Sequence, residues 1–175
     1  MASGSGSGPA PIGTAERQAR LAGLRRGMEA AGVETVLLGS TSSLRYFTGI
    51  DWYASERLLG ALVHLSGELD YITPQFELEK IEGLISLPGE VLTWEEDESP
   101  WRLVADRIGS AGRMAVDERM ALAMYRSLRA EIDDARLADA GPLIHALRSR
   151  KSPAEIALMS HAKAITIEVH RRARE

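Results

Sequence analysis

The feature that most constrains this chain is an alternation of two hydrophobic patterns. Short apolar runs bounded by Gly, Pro or polar clusters take turns with longer segments of helical periodicity. "VETVLLG", "LLGALVHL", "LDYIT", "EVLTW", "RMAVD" and "ARLADA" read as strands. Helices are expected from Thr14 to about Ala31, from Pro74 to about Leu84 and from Pro100 to Gly109, then over "ALAMYRSLRAEI" and "GPLIHALRSR". "STSSLRYFTG" reads as a short helix or turn. Such alternation predicts a three-layer α/β/α domain: a mixed, mostly parallel central sheet with helices on both faces. The tight turn "SGE" between two strand runs adds one antiparallel hairpin.

The first helix carries Leu21, Leu24, Met28 and Ala31 on one face, with Thr14 as its expected cap and Gly32 as its stop. A length of 175 residues, 45% hydrophobic, suits one such domain with a real core plus a fragment of another. The net charge of −4 argues against a nucleic-acid partner, which would select a basic surface. The 18 Arg against 3 Lys read as compositional bias. With no Cys, disulfides, thiolate catalysis and Cys-ligated metals are excluded. No apolar run approaches the roughly 20 residues of a membrane span, so no membrane partner is expected. The opening "MASGSGSGPAPIG" lacks the charged start and apolar core of a signal peptide. Residues 1–13 therefore read as a flexible linker or tag, residues 14–151 as the α/β domain, and the expected compartment is the cytoplasm.

Residues 152–175 form a third segment, a lone C-terminal helix. It opens on S-P-A-E, a capping box with Ser152 at the N-cap, Pro153 at the first helical position and Glu155 two residues later. It then runs to the last residue, on the order of 34 Å at 1.5 Å per residue. Ile156, Met159, Ala162, Ile165 and Val169 make a wide apolar stripe, and a stripe that broad requires a partner surface. The expectation is a helix that starts a further domain. Without that domain, it packs on a second copy or on its own domain, or frays.

Sites for bond-breaking chemistry are scarce. His64, His145, His161 and His170 have no i, i+4 ligand pairing, so no metal ligands are expected. G-x-S-x-G and G-K-[ST] are both absent. The run "WEEDESPW" reads as a solvated loop whose acids favour the helix start at Ser99. No catalytic residue is assigned. One stretch stands apart, "LRYFTGIDWYASERLLGALV", which places Trp52 and Tyr53 in a connecting loop with Asp51, Glu56 and Arg57. Two large aromatics in a loop mark either a cover folded onto the core or a contact surface. Arg57 either pairs locally with Asp51 or offers its fork to a carboxylate.

Two segments resemble a known family. "SSLRYFTGIDW" is similar to the Y-[LF]-[TS]-G segment in the N-terminal domain of the creatinase/Xaa-Pro peptidase family. "LRSRKSPAEIALM" resembles the L-R-x-x-K-[ST]-x-x-E-I-x-x-[ML] pattern that joins this domain to the catalytic domain. The resemblance implies a creatinase N-terminal domain-like, ribonuclease H-like fold, truncated just inside a pita-bread catalytic domain. The parent would be a Xaa-Pro dipeptidase (prolidase) or aminopeptidase P, with two divalent metal ions (Mn, Co or Zn) held by residues beyond Glu175. The stretch alone would be inactive. Its implied partners are its own catalytic domain, a second subunit of a homo-oligomer and a proline-containing peptide. Creatinases place an arginine eight residues after the glycine, as Arg57 follows Gly49, where it binds the substrate carboxylate across an interface. Trp52, Tyr53 and Arg57 are thus the expected substrate-binding residues, acting in trans. Ser55 stands where creatinases carry an aromatic, which favours a peptide over creatine. A non-catalytic protein-interaction module of the same fold is the alternative.

Overall fold

The computed structural model describes residues 8–110 and 112–174. Helices and strands alternate through them as α1 (Thr14–Ala31), β1 (Thr35–Gly39), α2 (Ser42–Thr48), β2 (Gly60–His64), β3 (Leu69–Pro74), α3 (Leu78–Glu82), β4 (Glu90–Trp94), α4 (Pro100–Ile108), β5 (Met114–Val116), α5 (Leu122–Glu131), β6 (Leu137–Asp139), α6 (Gly141–Arg148) and α7 (Pro153–Arg172).

The six strands form one sheet in the order β4-β3-β2-β1-β5-β6. β1–β5, β5–β6 and β3–β4 are parallel, whereas β1–β2 and β2–β3 are antiparallel. β2 alone therefore runs against the other five strands. It leaves through the expected hairpin, which Gly67 turns with a φ of 111°. The mixed, mostly parallel sheet expected from the alternation is what forms.

Strand residues alternate between two cores, as the pleat requires. Val36, Leu38, Ala61, Val63, Tyr71 and Ala115 face one way, against Leu21, Leu24 and Met28 of α1, Phe47 of α2, Ile81 of α3 and Ile144 of α6. Leu37, Leu62, Ile72, Met114 and Val116 face the other way, against Trp101 and Val104 of α4 and Leu128 of α5. Helices thus cover both faces and complete the three layers.

Local boundaries depart from expectation in two places. Gly13, not Thr14, occupies the N-cap of α1 in an extended conformation, and no side chain caps the helix. Pro74 does not open a helix. It ends β3 opposite Trp94, so only a 3-10 turn over Gln75–Glu77 and the short α3 follow. A residue lacking an N–H is tolerated where the strand ends.

α7 begins as read. Ser152 Oγ accepts from the Glu155 N–H at 3.1 Å, and the Glu155 carboxylate accepts from the Ser152 N–H at 2.8 Å. The same first turn is tied to α1, because Ser152 Oγ donates to Glu16 at 2.8 Å and Arg20 pairs with Glu155 at 3.2 Å. Past that turn, Ile156, Met159, Ile165, Ile167 and Val169 are all more than half exposed.

Candidate functional site

The loop joining α2 to β2 is clamped at both ends and exposed between. Gly49 ends α2 at a φ of 85°, and the Arg17 guanidinium lies so close over it that a side chain there would collide. Ile50 is buried next to it, and the Ile50 N–H donates to Thr48 Oγ1 at 3.1 Å. At the far end Leu58 and Leu59 are buried. Their carbonyls accept from Trp94 Nε1 at 3.0 Å and from Ser40 Oγ at 2.7 Å. Between these buried anchors residues 51–57 are exposed or half-buried.

Trp52, Tyr53 and Arg57, the three residues expected to bind substrate, share one shallow cleft of about 200 Å³ there. The Trp52 and Tyr53 rings stack with centroids 5.6 Å apart and planes 14° from parallel. Trp52 is half-buried against the core, whereas Tyr53 is 63% exposed. The two rings differ: Trp52 covers the core, and Tyr53 lies exposed beside it.

Three further residues complete the cluster. Phe76, 61% exposed, lies on the same cleft with the Arg57 guanidinium 5.5 Å from its ring centre. Lys80 of α3 holds its ammonium 4.1 Å above Trp52 and 5.8 Å from Tyr53. Glu96, in the loop after β4, takes Arg57 Nε at 2.7 Å and Nη2 at 3.2 Å. Arg57 Nη1 contacts Glu56. Asp51, the partner considered for Arg57, pairs with Arg45 at 3.2 Å instead. The hydrogen bond from Arg57 holds the Glu96 carboxyl below its usual value, and the same bond raises the Arg57 guanidinium. The cluster offers stacking faces and cationic donors. No thiol or imidazole lines the cleft.

A second constellation has the connectivity of a catalytic triad. Thr35 Oγ1 lies 3.1 Å from His64 Nδ1, and His64 Nε2 lies 2.8 Å from Asp70 Oδ2. Its surroundings make it structural. Thr35 is buried within the sheet, and Asp70, 1% exposed, also receives Arg107 Nε at 2.7 Å and Nη2 at 2.9 Å. Burial pushes the Asp70 carboxyl up, but the bonds and charges of Arg107 and His64 outweigh burial and hold it below the ordinary value. His64 belongs to this buried network, and no other histidine joins it.

Residues 20–150 match the model of the Creatinase/Prolidase N-terminal domain. The chain belongs to the creatinase/prolidase N-terminal domain family. Over 149 residues it is 26% identical to an uncharacterized peptidase of Schizosaccharomyces pombe, an alignment that covers 77% of this chain and 32% of that protein. Dipeptidase PepE from Mycobacterium ulcerans superposes with a TM-score of 0.81 at 26% identity, over 93% of this chain and 44% of that one. A prolidase from Thermococcus sibiricus shares the fold with a TM-score of 0.77 at 23% identity, again over 93% and 44%. The chain therefore spans less than half the length of these relatives, which are peptidases. The matched range begins within α1 and ends after α6, and α7 lies beyond it.

Proposed function

We propose that this chain is the N-terminal, oligomer-building and active-site-capping domain of a proline-directed metallopeptidase of the cytoplasm. In this reading Trp52, Tyr53 and Arg57 close over a prolyl substrate held by a neighbouring subunit. The observation that carries the reading is the exposed cluster on the α2–β2 loop. It combines flat apolar faces suited to a pyrrolidine ring with a guanidinium whose Nη1 side suits the adjoining carboxylate. The clamps at Ile50 and Leu58 support it, because a reaching loop must be stiff to position a substrate.

Cleavage chemistry lies outside this domain in the same reading. Among the described residues no group of three or more His, Cys, Asp or Glu is gathered to hold a metal ion. The two divalent ions, manganese, cobalt or zinc, are assigned to a catalytic domain joined through α7. The apolar residues of α7 would then be covered by that domain. Among the described residues no helix is long and apolar enough to cross a membrane.

The test is Arg57→Ala in the full-length enzyme, assayed on a Xaa-Pro dipeptide. Losing a charge-assisted contact predicts a fall of about ten- to a hundredfold in kcat/KM. Unchanged KM and kcat would reject the capping role.

A further inference from the structure

The two edges of the Arg57 guanidinium are held by acids of different standing. The Nε–Nη2 edge forms a fork on Glu96, a residue 39 positions away. Glu96 sits in a folded turn: the Glu95 N–H donates to the Glu98 carboxylate at 2.9 Å, and the Glu98 N–H donates to the Glu95 carbonyl at 2.9 Å. Directly after it, Ser99 caps α4 by accepting from the Arg102 N–H. The remaining edge of Arg57 touches only Glu56, its neighbour in sequence, whose side chain is 76% exposed. A guanidinium has five N–H donors, so the fork on Glu96 leaves the Nη1 side able to take another carboxylate.

We infer that Glu96 is a positioning residue that aims Arg57, and that Glu56 is a displaceable internal carboxylate occupying the place of the substrate's. This rests on the reading of Arg57 as the carboxylate binder and adds how that group is held and regulated. Three features divide the labour between the two acids. Glu96 makes two bonds and Glu56 makes one. Glu96 is carried by a turn with its own hydrogen bonds. The Glu56 side chain is 76% exposed against 55% for Glu96, and the more exposed pair is the weaker and more easily exchanged. The Phe76 ring below the guanidinium limits the directions in which Arg57 can swing. Removing Glu96 therefore frees Arg57 to fold onto Glu56, whereas removing Glu56 clears the binding edge.

The two acids thus have opposite expected effects. In the full-length enzyme Glu96→Gln should raise KM for a Xaa-Pro dipeptide about tenfold with kcat nearly unchanged, while Glu56→Gln should lower KM by about twofold. Neither variant should alter the competitive inhibition constant of the same dipeptide amidated at its C-terminus, which has no carboxylate to offer. A second arm uses the 175-residue chain itself and follows the Arg57 Nε–H by 15N NMR. Its slow exchange should persist in Glu56→Gln and vanish in Glu96→Gln. If Arg57→Ala leaves the ratio of acid to amide affinity unchanged, the parent reading fails and this inference with it. If Arg57→Ala shifts that ratio but Glu96→Gln does not, or if both acids move KM in the same direction, only the present inference is overturned.

Discussion

α6 and α7 are neighbours in the chain, and both start on a proline-containing first turn, yet they end in opposite environments. α6 is eight residues long, has no side-chain cap, and buries Ile144 against α1 and the sheet. α7 is 20 residues long, carries a complete capping box and contains no buried residue. The better-signalled helix is the one with less tertiary support. Start signals are local hydrogen bonds within one turn, whereas burial needs a second surface. Between the two helices, the strength of a capping motif says nothing about how much a helix contributes to the fold.

The largest test of that contrast concerns ion pairs. Asp70 is buried beneath α4 and forked by Arg107, whereas Glu168 of α7 is bonded by Arg171 and Arg172 in solvent. Asp70→Ala should cost roughly 3–5 kcal/mol in chemical denaturation, because it removes three hydrogen bonds to a carboxylate at once and leaves Arg107 with Glu90 alone. Glu168→Gln should leave the midpoint in place. The Asp70 carboxyl titrates lower in the folded chain than in the unfolded one. Its stabilisation is therefore whole above the ordinary carboxylate range, about pH 4, and lost as pH falls through the lower folded value. Acid titration of the wild type against Asp70→Asn should show that loss in the wild type alone.

Core packing comes next. Ile144→Ala on α6 should destabilise by about 2–4 kcal/mol through a cavity. Ile156→Ala on α7 should stay within about 0.5 kcal/mol in the 175-residue chain. A larger loss at Ile156 would mean that α7 is covered in solution, by a second copy or by its own domain, and sedimentation velocity would tell these apart. The smallest effect belongs to the cap. Ser152→Ala should weaken the first turn of α7 by about 1 kcal/mol, read by amide exchange at Glu155 and Ile156, with the global midpoint unmoved. A moved midpoint would show that the tie from Ser152 to Glu16 supports α1 as well.

Much of the architecture was legible because its causes are local. The alternation of strand and helix periods specified the layers, "SGE" specified the hairpin, and Ser99 and Ser152 cap the helices assigned to them. One of the two departures has a local cause and the other a distant one. The Thr14 hydroxyl suits a cap, but the extended residue before the helix is Gly13. Pro74 suits a helix start, yet its partner across the sheet, Trp94, lies 20 positions away and keeps it in β3.

The candidate site divides along the same line. Trp52, Tyr53 and Arg57 were visible as aromatics and a cation in a loop that had no need of them. Phe76, Lys80 and Glu96 were not, since each sits in a polar stretch where exposure is ordinary, and only the pairing of β3 with its neighbours carries them to Trp52 and Arg57. By itself the amino-acid order determined which segments become strands and helices and where α4 and α7 start. Those outcomes depend on hydrogen bonds and side-chain periods within a few residues. Only the tertiary structure decided that Arg57 takes Glu96 over the nearer Asp51, and that α7 stands uncovered. Partner choice depends on which surfaces the sheet order brings within reach.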